Sequence, residues 1–156
     1  MLIKLADEAA TLELGRDIAQ LCLGQALTIH LEGQLGAGKT TLSRGLLYGL
    51  GHTGKVKSPT YTLVEEYELA TATVYHFDLY RLSDPEELDY IGLDDYLSGN
   101  AICLFEWPKQ GGDYLPKPDM VISLQYQNTA RQADITAFSS AAKAIYQQLE
   151  RNYACK

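Results

Sequence analysis

The chain has 156 residues, 46% of them hydrophobic, and carries 13 basic against 20 acidic side chains for a formal net charge of -7. That length suits a single unit over residues 1–156, one sheet covered by helices, with no room for a second full domain. The acidic balance argues against autonomous nucleic-acid binding, which draws on a basic surface, and no apolar run is long enough to span a bilayer.

Residues 1–5 read as a short edge strand. Acids follow where a signal peptide needs cations and an apolar core, so the chain reads as cytoplasmic, without a membrane segment. Cys22, Cys103 and Cys155, odd in number and without metal-binding spacing, suit a reducing compartment. Asp7 stands as N-cap of a helix over residues 8–23, with Ala9, Leu12, Ile18, Ala19 and Cys22 as its apolar stripe. Residues 26–31, ALTIHL, form an apolar, β-branched run of strand length, and residues 40–50 set Leu42, Leu46, Leu47 and Leu50 at helical spacing.

Between that strand and that helix lies Gly33-Gln34-Leu35-Gly36-Ala37-Gly38-Lys39-Thr40, which satisfies the phosphate-loop pattern G-x-x-x-x-G-K-[ST] without substitution. Glycines there let successive backbone N–H groups close around a phosphate at a helix N-terminus. Lys39 adds a point charge for the β- and γ-phosphates, the Thr40 hydroxyl suits Mg²⁺, and Thr41 reaches toward the α-phosphate.

Beyond this helix, Gly49, Gly51 and Gly54 break regular structure, and Pro59 keeps Ser58 out of a helix. Residues 60–69 and 73–80, rich in tyrosine and threonine, predict an antiparallel hairpin. Period two puts Val74, His76, Asp78 and Tyr80 on one face of its second strand and Tyr75, Phe77 and Leu79 on the other. Ser83 or Asp84 caps a short helix with Pro85 at its first position and Gly92 at its end, and a second acidic helical turn covers residues 93–97. Residues 101–107 contain the most continuous apolar strand, ending in Glu106. Residues 119–126 and 132–138 follow as a meander, and Ser139 or Ser140 starts a helix running to Tyr153. The fold class is α/β, a mixed sheet flanked by helices, parallel near the phosphate loop.

Two apolar runs end in an acid, at Asp78 and at Glu106. A phosphate-loop enzyme needs one carboxylate near Mg²⁺ and another group to act on the nucleophile. The strand of Glu106 is the more completely apolar, hence the neighbour expected beside the phosphate-loop strand, so Glu106 reads as the metal ligand and Asp78 as the catalytic or switch group. Asp89-Tyr90-Ile91-Gly92 matches D-x-x-G formally, but a guanine-reading N-K-x-D is missing and the stretch reads as a helix end. His30, His52 and His76 lack ligand spacing and read as structural, while Trp107 reads as packing, with contact to nucleotide or partner as the alternative.

The ordered set of Gly33 to Thr41, Lys57-Ser-Pro-Thr-Tyr-Thr-Leu-Val64, His76-Phe-Asp-Leu-Tyr-Arg-Leu82, Asp84-Pro-Glu-Glu-Leu88 and Glu106-Trp-Pro108 resembles the TsaE family. Its members are small bacterial ATPases that take part in making the threonylcarbamoyladenosine modification next to the anticodon of tRNAs. The resemblance implies a P-loop NTPase-like fold and ATP held by Leu35, Gly36, Ala37, Gly38, Lys39, Thr40 and Thr41. It further implies Mg²⁺ on Thr40 and Glu106, hydrolysis dependent on Asp78 and Lys39, and a switch-like loop from Ser58 to Thr62. Adenine would lie between Glu8 and the stretch around Ala130 and Arg131. Gln34 departs from a position where the family often has an acid, but a backbone nest does not use that side chain. The implied partners are the TsaD and TsaB proteins, with tRNA reached only through them and the chain monomeric when alone. Five arginines without a clustered lid motif suggest that a partner supplies stabilising charge. The other readings are a small-molecule kinase and a non-catalytic, nucleotide-dependent adapter.

Overall fold

In the computed structural model, which describes residues 1–57, 59 and 62–155, seven strands form one mixed sheet. The elements are β1 (Leu2–Leu5), α1 (Glu8–Leu21), β2 (Leu27–Gly33), α2 (Lys39–Gly49), β3 (Val64–Glu68), β4 (Thr73–Asp78), α3 (Glu87–Tyr90), α4 (Leu93–Leu97), β5 (Ala101–Glu106), β6 (Met120–Gln127), β7 (Ala130–Ala137) and α5 (Ser140–Ala154). Strand order is β1-β7-β6-β2-β5-β4-β3. The four central strands β6, β2, β5 and β4 run parallel, and antiparallel pairings attach β7 and β1 at one side and β3 at the other.

Every residue of β5 is buried, as its unbroken apolar run requires, and it lies between β2 and β4. Burial of Ile102, Leu104 and Phe105 contributes about 1.5–3 kcal/mol each by leaving water, which makes the strand the natural centre of the layer. One face of the sheet carries the larger core, built with Leu14, Ile18, Leu42, Leu46 and Ile145 from α1, α2 and α5. The other carries a smaller cluster in which Phe77 stacks on Phe105 at 4.5 Å beneath Leu88 and Leu93 of the two short helices. Among the described residues no helix is long and apolar enough to cross a membrane.

Several local expectations shift. The buried stripe of α1 is Thr11, Leu14, Gly15, Ile18 and Ala19, continued by Cys22, whereas Ala9 is exposed and Leu12 half-buried. Small residues win because α1 crosses α2 closely: a Cβ on Gly15 would strike the Leu42 carbonyl, and one on Gly45 the Leu12 carbonyl. Pro85 lies in a turn before α3 rather than in its first position, since Asp84 caps that turn through the Glu86 N–H. Ser139 is the N-cap of α5, its Oγ accepting from the Ala142 N–H at 3.2 Å.

Candidate functional site

β2 delivers the chain at its C-terminal end into a loop that can only be glycine-rich. Gly33 has φ 145° and approaches β6 so closely that a Cβ would lie 2.5 Å from the Leu124 carbonyl oxygen. Gly38, the N-cap of α2, has φ 108°, a conformation L side chains avoid. Inside the loop the Ala37 N–H donates to the Gln34 carbonyl at 3.0 Å and the Tyr126 hydroxyl donates to the Gly36 carbonyl. Lys39 Nζ donates to the carbonyls of Gly33 at 2.5 Å and Gln34 at 3.0 Å and lies 4.0 Å from the Trp107 ring centroid. Burial pulls the Lys39 pKa down, while the charges of Glu106 and Asp78 push it back up.

The two candidate carboxylates come together through strand register. β4 and β5 are parallel with Asp78 opposite Glu106, and Glu106 stands opposite Leu31 of β2 on its other side. Glu106 is 3% exposed, and its Oε2 lies 2.5 Å from His76 Nε2. Asp78 is half-buried, and burial raises its pKa first of all. The Tyr80 N–H, 3.1 Å from Oδ1, works against that rise, and Glu106 adds to it.

Leu35, Gly36, Gly38, Lys39, Thr40, Thr41, Asp78, Glu106 and Arg131 border one cleft of about 420 Å³. Ala37 is buried beneath the loop, Ala130 starts β7 opposite Gln127, and Glu8 pairs with Arg44 at 2.9 Å; none of these three side chains borders the cleft. Of the switch-like stretch, Ser58, Thr60 and Tyr61 lie outside the described residues. Its exit is at Leu63, in a left-handed conformation (φ 71°), whose carbonyl accepts the Asp78 N–H at 3.0 Å.

The structure adds Tyr80, Arg81 and Trp107 to the lining, and Tyr126 beneath Arg131, whose guanidinium stacks over its ring at 5.4 Å. Two arginines therefore reach a site in which the sequence showed no arginine lid. Period two marks Tyr80 and His76 as sharing a face with Asp78; Tyr126 and Arg131 carry no local signal, since β6 and β7 reach the loop only through tertiary pairing. Trp107 packs against the smaller core while also covering Lys39. A larger hollow of about 610 Å³ lies between Glu32–Leu35, Trp107–Lys109 and Ser123–Tyr126, but Lys39, Thr40, Asp78 and Glu106 do not border it.

An anion nest, a lysine, a threonine hydroxyl and two strand-end carboxylates can accommodate a phosphate chain with a hard divalent cation. Mg²⁺ suits this donor set, because it takes one or two protein carboxylates together with phosphate oxygens rather than an all-protein cage.

A model of the family described as threonylcarbamoyl adenosine biosynthesis protein TsaE matches residues 5–134. A tRNA threonylcarbamoyladenosine biosynthesis protein TsaE of Haemophilus influenzae is 48% identical over 143 residues, covering 89% of this chain and 90% of that protein. The like-named protein of Bacillus subtilis is 38% identical over 130 residues, covering 83% and 80%. The crystal structure of Bacillus subtilis YdiB superposes with a TM-score of 0.82 at 28% identity, covering 97% of this chain and 95% of that one. With the family match spanning the loop and both carboxylate strands, and close relatives aligned along most of their length, the chain belongs to the TsaE family.

Proposed function

We propose that this chain is a Mg²⁺-dependent ATP-binding protein that hydrolyses ATP slowly by itself and serves, with TsaD and TsaB proteins in the cytoplasm, the threonylcarbamoyladenosine modification of tRNA. The observation that carries this reading is the convergence of the phosphate loop with Asp78 and Glu106 at the ends of adjacent parallel strands. Loop N–H groups and Lys39 would bind the phosphates, and Thr40 and Glu106 would hold the cation. Bound Mg²⁺ would neutralise charge on the phosphoryl oxygens. Asp78, half-buried and, with its pKa raised by burial, a stronger base in its ionised form, would orient the attacking water and take its proton. Arg131 lies against Gly38 and supplies positive charge at the loop; in this reading the chain alone is a monomer.

Leu35, Tyr80 and Tyr126 are 69%, 45% and 48% exposed around the loop and cleft, an apolar rim that supports a site completed under a partner's surface. A second reading, a small-molecule kinase, has one observation in its favour, the larger hollow beside Trp107. Asp78 does not border that hollow, so an acceptor there would lack a base.

Following phosphate release from ATP, with the chain alone and then with TsaD, TsaB and tRNA, tests the proposal. Slow release accelerated by the partners is expected. Fast release indifferent to them removes the partner-completed site, and no release in any mixture removes hydrolysis and leaves the adapter and the kinase.

A further inference from the structure

His76 sits in the middle of an otherwise apolar stretch of β4, opposite Leu104 and diagonal to Glu106 on the face that packs against the larger core. Its side chain is 0% exposed. Nε2 lies 2.5 Å from Glu106 Oε2, while Nδ1 is buried without a hydrogen-bond partner among the described residues. A buried polar ring with one unmet nitrogen is a cost that a leucine would avoid, and packing alone does not account for it. With no acceptor for an Nδ1 proton among the described residues, the tautomer of least cost leaves a bare lone pair there and donates from Nε2 to the carboxylate.

We propose that His76 is a positioning residue for Glu106: its Nε2–H engages Oε2, so that the carboxylate is held in one rotamer with Oε1 left to the cation. This rests on the reading of Glu106 as a Mg²⁺ ligand. The competitor that His76 holds off is Lys39. That lysine feels the Glu106 charge, yet makes no ion pair with it among the described residues and spends its protons on loop carbonyls instead. An untethered Glu106 would swing to the ammonium, and both groups would be lost to the phosphate-bound cation. Hydrogen-bond partners behind a ligating carboxylate commonly control affinity in this way.

The test is a Mg²⁺ titration of the full chain with a fluorescent ATP analogue, run beside analogue binding in a chelator, for the wild type, His76→Phe, His76→Gln and Glu106→Gln. His76→Phe keeps the ring shape without the donor and is expected to raise the half-saturating Mg²⁺ by about 10-fold or more, with chelator binding unchanged. His76→Gln places an amide N–H where Nε2 was and is expected to return the midpoint to within about threefold of the wild type. If Glu106→Gln loses the Mg²⁺ dependence while His76→Phe stays within about twofold of the wild type, the positioning role is overturned and the metal assignment stands. If wild-type binding ignores Mg²⁺, the metal assignment falls and the inference with it. Should His76→Phe not fold, His76→Asn replaces it: its shorter amide falls short of Oε2, so a wild-type midpoint in that variant overturns the proposal.

Discussion

The carboxyl of Asp78 is held above its ordinary range, chiefly by burial and further by the neighbouring Glu106, against the pull of the Tyr80 N–H. A carboxyl whose folded pKa exceeds its unfolded value of about 3.9 binds more protons folded than unfolded, so stability falls as pH rises through that window. Asp78→Asn removes the penalty while keeping an oxygen for the Tyr80 N–H. It should melt above the wild type at neutral pH, with the gap closing as pH falls toward about 4, while turnover is lost. Thermal melts across pH decide this, and a gap that does not vary with pH refutes it. Lys39→Ala removes the donor to Gly33 and Gln34 and the cation beneath Trp107. Hydrolysis should stop and triphosphate binding weaken by about 1.5–3 kcal/mol, roughly 10- to 150-fold, with diphosphate binding less affected. Calorimetric titration with both nucleotides checks it, equal losses indicating a collapsed loop. The strand-end placement of Glu106 and Asp78 was legible because each closes an apolar run. The tie between His76 and Glu106 was not, since those residues are 30 apart and meet only through the register of β4 on β5.

Helices α1 and α2 cross where Gly15, Gly45 and Gly49 let the backbones touch. Replacing Gly45 by alanine raises helix propensity by about 0.5–1 kcal/mol, but its Cβ would run into the Leu12 backbone, which cannot rotate aside. Overpacking costs about 1–3 kcal/mol, so a net loss is expected. Gly99→Ala, whose added Cβ would meet no described residue within 4 Å beyond its chain neighbours, should stay within about 0.5 kcal/mol of the wild type. Urea unfolding of the two variants settles the comparison, and a Gly45→Ala variant as stable as the Gly99→Ala control contradicts the close crossing. The same crossing explains the misread stripe of α1. Hydrophobic periodicity weighs Leu12 above Thr11 and Gly15, whereas a tight helix contact selects small side chains. Elements with strong local signals, the phosphate loop, the apolar β5 and the capped α5, were legible nearly to their ends.

Strand order belongs to the whole molecule, and little in the sequence encodes it. The unbroken apolar run of β5 announced a central strand, but nothing local in residues 119–138 says that β6 pairs with β2 and carries β7 and β1 outward. That pairing is what brings Tyr126 and Arg131 onto the loop, so the cleft joins β2, β4, β5 and the β6–β7 hairpin. A ligand binding across so many elements should stabilise the fold as one unit. Mg·ATP at 100 times its dissociation constant adds roughly 2.7 kcal/mol. At about 2–4 °C per kcal/mol for a chain of this size, the melting point should rise by about 5–11 °C, with GTP doing less. An unmoved melting curve with saturating ATP would remove nucleotide binding, and equal shifts with GTP would remove the adenine preference.

Trp107 is the only tryptophan of the chain, and its left-handed backbone (φ 57°) turns the indole onto Lys39. A single optical probe thereby lies on the residue that, in the proposed function, would exchange its loop carbonyls for a phosphate. Intrinsic emission, excited selectively over the eleven tyrosines, should change in one saturable step as ATP is added, with no label attached. In Lys39→Ala the starting spectrum should already differ, because the ammonium that polarises the excited indole is gone. If that step is seen, Trp107 would serve as an occupancy gauge for the loop, and an emission that ignores saturating ATP would refute the contact between indole, Lys39 and nucleotide.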